Sequence, residues 1–322
     1  MSHVTCWEES QGDQPELPAL RCADAARMRG EPLAATAARY SRFLLLEVPG
    51  PWGSSALDAR HVDAAAGHLE RAAAAADCHV VLIRRAGRQL APGGERGSRA
   101  WALADTSPGA ERVLWGHWRD YDDLLGVDLT APVPDAAGAS GPQRVALVCT
   151  NGKRDQCCAI RGRPVATAIA AGTDWDTWEC SHLGGHRFAA TIMLLPAGDM
   201  FGGLDPGSAL EVVRRYDEGH LMLAHHRGRS GQPRPAQAAL HAAAVRLGEL
   251  RRDAVRSSWA RRVPAADGAD RWEVGVLHSS DDDRISYQVI VDGSKQAPGR
   301  LSCADDVLKA ETRYEAISFS RG

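Results

Sequence analysis

Four side chains that commonly bind metals lie close together in the middle of this 322-residue chain. Eight residues separate Cys149 from Cys158, and the segment His182-Leu-Gly-Gly-His186 follows shortly afterwards. Thiolates together with imidazoles suit an iron–sulfur cluster or zinc, and they suit calcium or magnesium poorly. The two glycines give the backbone the freedom to turn both imidazoles toward one centre. The pattern therefore predicts a four-ligand metal site, which the fold has to assemble.

Spacing alone leaves the ligand set open. Cys157 competes with its neighbour Cys158 for the second position. Cys180 is a further rival, because residues two apart on a strand point to the same side, as Cys180 and His182 would. Cys149 ends a predicted strand, and the polar loop after it returns at the start of a helix. The positive end of a helix favours a ligating thiolate there.

Composition excludes several classes of protein. The chain is 44% hydrophobic and 25% charged, as in ordinary globular proteins, and its net charge of −3 argues against a general nucleic-acid binder. Its apolar runs fall far short of the roughly 20 residues of a membrane-spanning helix, and its polar start lacks an apolar signal core. We therefore expect a cytoplasmic protein without disulfides, with ordinary buried thiols at Cys78 and Cys303 and no assigned role for Cys22.

The chain is long enough for two or three domains, which glycine-, alanine- and proline-rich stretches at 131–142 and 227–235 separate. We expect domains at 20–136, 142–232 and 233–322. The first two have the same predicted order, a β-α-β unit followed by a hairpin, which is typical of a thioredoxin-like domain. The third is predicted to be a small α+β appendage.

The individual elements follow from hydrophobic periodicity. Strands are predicted at 42–48, 79–84, 99–104, 112–118, 144–149, 176–180, 190–195, 200–204, 272–276, 285–291 and 314–319. Helices are predicted at 58–76, 159–171, 208–219 and 236–257.

Three motifs carry a resemblance to a known family. They are the run from Cys149 to Cys158, Gly162-Arg-Pro164, and the run from Trp178 to Ala189. Together they resemble the sucrase/ferredoxin-like family, and the similarity extends over about residues 20–240. The resemblance implies an α/β chain whose domain at 142–232 is a thioredoxin-like ferredoxin. The shared layout of the first two domains suggests that the α/β domain before it is thioredoxin-like as well.

The same resemblance implies a cofactor and its ligands. Members of the family hold a 2Fe–2S cluster with two cysteines and two histidines, which correspond here to Cys149, Cys158, His182 and His186. The implied function is one-electron transfer with possible proton coupling, as a carrier or a reductase component with a redox partner protein. The word "sucrase" in the family name finds no support, because no pair of carboxylates is singled out as in a glycosidase.

Basic residues surround the predicted ligands. Lys153 and Arg154 lie in the loop after Cys149, and Arg187 directly follows a predicted ligand. We expect these cations to offset cluster charge or to dock an acidic redox partner.

Two other functions fit the same residues. The adjacent Cys157 and Cys158 could act as the dithiol of a thiol–disulfide oxidoreductase, although the usual C-x-x-C spacing is lacking. A structural zinc ion in a Cys2His2 site is the other alternative.

Overall fold

The computed structural model describes residues 20–58, 63–86, 97–133, 141–280, 283–305 and 307–322. Within them the helices are α1 Cys22–Met28, α2 Asp63–Ala75, α3 Tyr121–Leu125, α4 Gln156–Gly172, α5 Pro206–Asp217 and α6 Arg234–Leu247. A nine-stranded sheet contains β1 Arg42–Glu47, β2 Cys78–Arg85, β3 Arg99–Asp105, β4 Arg112–Trp118, β5 Val145–Cys149, β6 Asp176–Cys180, β7 Ile192–Leu195, β8 Asp199–Phe201 and β9 His226–Arg229. A four-stranded sheet contains β10 Val255–Val263, β11 Asp270–Ser279, β12 Arg284–Lys295 and β13 Thr312–Arg321.

Eight of the nine strands of the large sheet form two halves with the same strand order, and β9 pairs with β8 at one edge. In the first half β1 and β2 are parallel, β3 and β4 are antiparallel additions, and the order is β4-β3-β1-β2. In the second half β5 and β6 are parallel, β7 and β8 are antiparallel additions, and the order is β6-β5-β7-β8. The predicted α/β, thioredoxin-like fold class is confirmed, and both halves have this layout.

The halves join through an antiparallel pairing of β2 with β6, which we call the seam. Three residue pairs form it: Ile83 with Cys180, Arg84 with Glu179, and Arg85 with Trp178. The predicted domains 20–136 and 142–232 thus contribute strands to one continuous sheet.

Burial explains why the central strands read as continuous apolar runs. All five residues of β5 are buried, because the sheet is covered on both faces. On one face α4 and α5 pack against side chains such as Val148 and Ile192. On the other face one apolar cluster spans both halves, from Phe43 and Val81 to Leu147. This second cluster reaches Cys149, so the predicted metal site lies at the rim of the main core.

The C-terminal part is the small α+β appendage that the sequence predicts. Helix α6 packs on the antiparallel sheet, whose inward residues Val274, Val276, Val289 and Val291 are buried. The predicted helix 236–257 is wrong in its second half, since α6 ends at Leu247 and the chain is again extended from β10 onward.

Glycine explains where α6 stops. Gly248 adopts a left-handed conformation (φ 64°) that ends the helix. Residues 227–229, predicted as a loop, instead belong to the edge strand β9.

Residues 59–62 of the predicted helix 58–76 and residues 134–140 of the predicted boundary 131–142 lie outside the described residues. Among the helices that the structure describes, none has the length and apolar character needed to cross a bilayer.

Candidate metal centre

Two parallel strands bring the predicted ligands to one edge of the sheet. β5 ends at Cys149 and β6 ends at Cys180, and these two residues are register partners. Because the carboxyl ends of parallel strands meet at the same edge, the segments that follow them leave side by side. Helix α4 then begins at Gln156 and carries Cys158 in its first turn, while His182 follows β6.

Cys149, Cys158 and His182 form a compact group. One ligand atom from each lies within 4.8 Å of the other two, and the two cysteines are almost fully buried. His186 is not part of this group of three, but its ring stacks on that of His182, with the ring centroids 5.2 Å apart. The structure therefore brings all four predicted ligands to one place.

The two histidines each contain a buried nitrogen without a partner. Within the part of the chain that the structure describes, the Nδ1 atoms of His182 and His186 neither donate nor accept a hydrogen bond. Leaving such a polar atom buried and unpaired costs about 1–3 kcal/mol. Coordination to a metal would satisfy both atoms, and a donor set of thiolates and imidazoles suits an iron–sulfur cluster or zinc. The residues thus fit such a group.

The protonation states of the site favour metal binding. A hydrogen bond from the Cys158 thiol lowers the pKa of Cys149 well below its usual value, burial opposes this, and His182 lowers it further. The same hydrogen bond raises the pKa of Cys158. Burial, and then His182, lower the pKa of His186. The site therefore favours one thiolate and a neutral His186 imidazole, which are the forms that coordinate metals.

A two-glycine turn connects the histidines. Gly184 and Gly185 have φ angles of 81° and 71°, in the left-handed region that favours glycine. A Cβ atom on Gly185 would lie 2.3 Å from Nη2 of Arg227, whereas one on Gly184 would meet nothing within 4 Å. Gly185 is therefore required both for its backbone conformation and for the close approach of an arginine.

That arginine is a functional residue which the sequence did not reveal. Arg227 comes from β9 and is buried, and its Nη1 donates a hydrogen bond to the carbonyl oxygen of Gly184 (3.0 Å). Its Nη2 and Nε donate to the carbonyl and hydroxyl oxygens of Thr36, at 2.5 and 3.0 Å. Burial, together with Arg187 and Arg234, lowers the pKa of Arg227 to about 9.

Arg227 remains largely protonated at neutral pH, so it brings positive charge near the Cys149 thiolate. The negative charge of this thiolate acts in turn to raise the pKa of Arg227. No local pattern marks this residue, because it lies on a different strand from the ligands and was predicted to be in a loop.

The predicted cations take different positions. Lys153 and Arg154 are exposed in the loop after β5, where their backbone N–H groups donate to the Asn151 side chain at 3.1 and 3.4 Å. Arg154 and His182 line the same surface groove. Arg154 thus presents positive charge next to a predicted ligand, and Lys153 is exposed one residue before it.

Arg187 is instead buried. Its Nε donates to Glu31 at 2.5 Å, and its Nη2 pairs with Glu311. The residue therefore ties the segment after His186 to both an early and a late part of the chain.

The two rival cysteines do not join the group of three. Cys180 is fully buried in the core, and burial raises its pKa well above the usual value. Cys157 points away from Cys158 into a second group, formed with Cys22, Asp155 and Cys303. No sequence pattern indicated this second group, since Cys22 had no assigned role and Cys303 was expected to be an ordinary buried thiol.

Comparison with known proteins identifies the family. The family model described as Sucrase/ferredoxin-like matches residues 33–228, a range that contains both halves of the large sheet and all four predicted ligands. No curated protein and no solved structure matches the chain. Because the matched range covers more than half of the sequence, this chain belongs to the sucrase/ferredoxin-like family.

Proposed function

We propose that this protein transfers single electrons with a 2Fe–2S cluster held by Cys149, Cys158, His182 and His186. The observation that carries the proposal is the convergence of two buried thiols with two histidines whose Nδ1 atoms are buried and unpaired. Membership in a ferredoxin-like family supports a redox role. The cluster, when bound, supplies a one-electron acceptor and donor.

Imidazole ligands set the expected range of the reduction potential. Two neutral imidazoles in place of two thiolates make a cluster less negative and so easier to reduce. Rieske centres, which also have two histidine ligands, lie at about −150 to +300 mV, against about −400 mV for plant-type clusters with four cysteines. The positive charge of Arg227 acts in the same direction. We therefore expect a potential above the all-cysteine range.

The histidines also offer a place for a proton. A ligating imidazole keeps its second ring nitrogen, on which a proton is held or released. Reduction adds negative charge and so favours the protonated form. Electron uptake at this site is therefore coupled to proton uptake at that nitrogen.

A structural zinc ion at the same site is the second candidate. The mutual distances of no more than 4.8 Å among the ligand atoms of Cys149, Cys158 and His182 are also short enough for one ion. A dithiol mechanism lacks comparable support, because Cys157 and Cys158 face different groups.

Metal analysis and spectroscopy separate these functions. Protein purified under anaerobic conditions, or reconstituted with iron and sulfide, is expected to be coloured, to contain two irons and two sulfides per chain, and to give an electron paramagnetic resonance signal on reduction. Colourless, iron-free protein after reconstitution would contradict the proposal. Zinc bound in a manner that depends on His182 and His186 would support the second candidate.

A further inference from the structure

The second cysteine group joins three distant parts of the chain. Cys22 lies on α1, Asp155 and Cys157 lie at the start of α4, and Cys303 lies between β12 and β13. One ligand atom from each residue lies within 4.8 Å of the other three. The first three residues are at most 2% exposed, and Cys303 is half-buried.

The sulfur–sulfur distances match those around a single metal ion. Cys157 Sγ lies 3.7 Å from Cys22 Sγ and 3.6 Å from Cys303 Sγ. A zinc–sulfur bond of about 2.3 Å in tetrahedral geometry places neighbouring sulfurs about 3.8 Å apart. A disulfide requires about 2.0 Å and would leave the third cysteine unpaired.

Backbone N–H groups donate hydrogen bonds to two of the three sulfurs. The backbone N–H of Cys22 donates to Cys303 Sγ at 3.3 Å, and that of Ala23 donates to Cys157 Sγ. Such N–H donors are what metal-bound thiolates need around them.

Asp155 supplies an oriented carboxylate. It accepts hydrogen bonds from the backbone N–H groups of Cys157 (2.9 Å) and Cys303 (2.7 Å) and from the hydroxyl of Ser302 (3.0 Å). Its Oδ2 lies 3.4 Å from Cys22 Sγ. Burial acts to raise the pKa of this carboxyl, but these hydrogen bonds hold it below its usual value. Since Oδ1 accepts from Cys157 N–H while Cys303 and Ser302 donate to Oδ2, a lone pair on Oδ1 remains for a metal.

We propose that Cys22, Cys157, Cys303 and Asp155 bind one structural zinc ion, separate from the Cys149 centre. Binding displaces the three thiol protons, and no oxidant or reductant is needed. A site with four protein ligands is typical of structural zinc.

The ion would clamp the region around the Cys149 centre. Cys157 immediately precedes Cys158, and α1 packs against the short 3-10 helix that begins at His186. A zinc ion bound to Cys22 and Cys157 therefore fixes the positions of two predicted cluster ligands without touching them. This inference does not depend on which metal occupies the Cys149 centre.

Metal analysis of the intact chain tests the proposal. Protein produced with added zinc and purified without chelators is expected to contain one zinc per chain, which a mercurial thiol reagent releases to a zinc-sensitive dye. The double variant Cys22→Ser/Cys303→Ser is expected to lose this zinc, whereas Cys78→Ser, which removes a buried thiol elsewhere, keeps it. The double variant His182→Ala/His186→Ala also keeps it, even when it loses all iron.

Three results would overturn the inference. The wild-type protein could contain far less than one zinc per chain, the Cys22→Ser/Cys303→Ser variant could keep its zinc, or the His182→Ala/His186→Ala variant could lose it. Because the cysteine variants could fail to fold, the histidine double variant, which keeps all three cysteines, is also loaded with cobalt. Absorption bands of tetrahedral, thiolate-bound cobalt in the histidine double variant support the site. A disulfide among the three cysteines in anaerobically purified protein, found by mass spectrometry, refutes it.

Discussion

Arg227 donates a hydrogen bond from Nη1 to the carbonyl oxygen of Gly184, 3.0 Å away, and so a guanidinium from β9 holds the turn between the two histidines. The same group also donates twice to Thr36. A single buried side chain thus links the edge strand of the sheet, the early part of the chain and the metal centre. It also brings a positive charge to a site that gathers thiolates.

Replacing Arg227 tests this link. Arg227→Met preserves much of the side-chain length but leaves the oxygens of Gly184 and Thr36 unpaired in the interior. We expect the free energy of unfolding to fall by about 2–4 kcal/mol. The reduction potential should also fall, because a positive charge beside Cys149 is lost. Urea titration and voltammetry measure the two effects, and an unchanged potential in a folded variant would argue against the electrostatic role.

The two glycines form a matched pair. Gly184→Ala and Gly185→Ala both place a Cβ atom on a left-handed backbone, which costs about 1–2 kcal/mol. Only the second brings the Cβ against the Arg227 guanidinium. We expect Gly185→Ala to reduce iron content and stability clearly more than Gly184→Ala. Equal iron content in the two variants would show that this close approach does not matter for the centre.

The histidines have a prediction of their own under the proposed function. His182→Cys and His186→Cys are expected to keep a cluster and lower its potential, since a thiolate adds negative charge. His182→Ala and His186→Ala should lose iron and colour. His241→Ala is a matched control, because its Nδ1 atom is likewise buried without a partner among the described residues but lines a different cavity.

Proton coupling gives the same variants a second readout. In the wild type the potential is expected to fall as pH rises, by up to about 59 mV per unit for each coupled proton. One histidine fewer should make this dependence weaker. A flat potential across mildly acid to strongly alkaline pH, on protein that keeps its cluster, would exclude histidine ligation with proton coupling.

A buried carboxylate away from the centre should control acid stability. Asp199 accepts hydrogen bonds from Tyr216 Oη at 2.7 Å, and it pairs with His226 and Arg229 at 3.2 Å each. Asp199→Asn removes the nearest carboxylate of the buried Arg229 and leaves it with Glu111 and Asp253, each 3.7 Å away. We expect a loss of about 3–5 kcal/mol at neutral pH, measured by urea unfolding. Asp267→Asn, at an exposed ion pair, should cost at most about 1 kcal/mol.

The sign of the pH dependence follows from the shift in pKa. Burial acts to raise the pKa of Asp199, but Arg229, His226 and Tyr216 together hold it well below its usual value. The stabilisation is therefore complete above the unfolded pKa of about 3.9, and it is lost as pH falls toward the lower folded value. The difference between the wild type and Asp199→Asn should shrink below about pH 4. A difference that grows on acidification would contradict this assignment.

The exposed cations suggest how a redox partner docks. We propose that an acidic partner approaches Lys153 and Arg154, because both are exposed and Arg154 lines the same groove as His182. Lys153→Glu/Arg154→Glu is expected to slow reduction by an acidic electron-donor protein at least about tenfold at low salt, with the difference fading at high salt. The single variants Lys153→Glu and Arg154→Glu are each compared with Arg321→Glu, which makes the same change of charge at the exposed end of β13. If Arg321→Glu slows reduction as much as either single variant does, the docking site is not localised at Lys153 and Arg154.

The order of elements was predictable because β1, β5 and their neighbours are short apolar runs separated by polar segments and by alanine-rich helical stretches. So was the position of the predicted ligands, since Cys149 ends a strand and His182 follows the adjacent one. The end of α6 was missed although Gly248 marks it, because the alanine-rich pattern before it has no sharp boundary in hydrophobicity. The pattern of two repeated halves was visible only as a shared layout.

Contacts between distant segments were beyond the reach of the sequence. Arg227 meets Gly184 only because β9 joins the sheet edge. Cys22, Cys157 and Cys303 meet only because α1 and the C-terminal segment pack on the start of α4. Each of these residues looks ordinary within its own stretch of sequence, so neither periodicity nor spacing could single it out.

The seam between the halves gives the first half a mechanical part in the centre. Beyond the paired strands, the backbone N–H of Ser181 donates to Leu82 at 2.8 Å, and His79 bonds the carbonyl oxygen of His182 at 3.2 Å. The loop that carries His182 is therefore held to β2 as well as to its own half. The half of the sheet without predicted ligands thus braces the backbone at Ser181 and His182 from outside the candidate site.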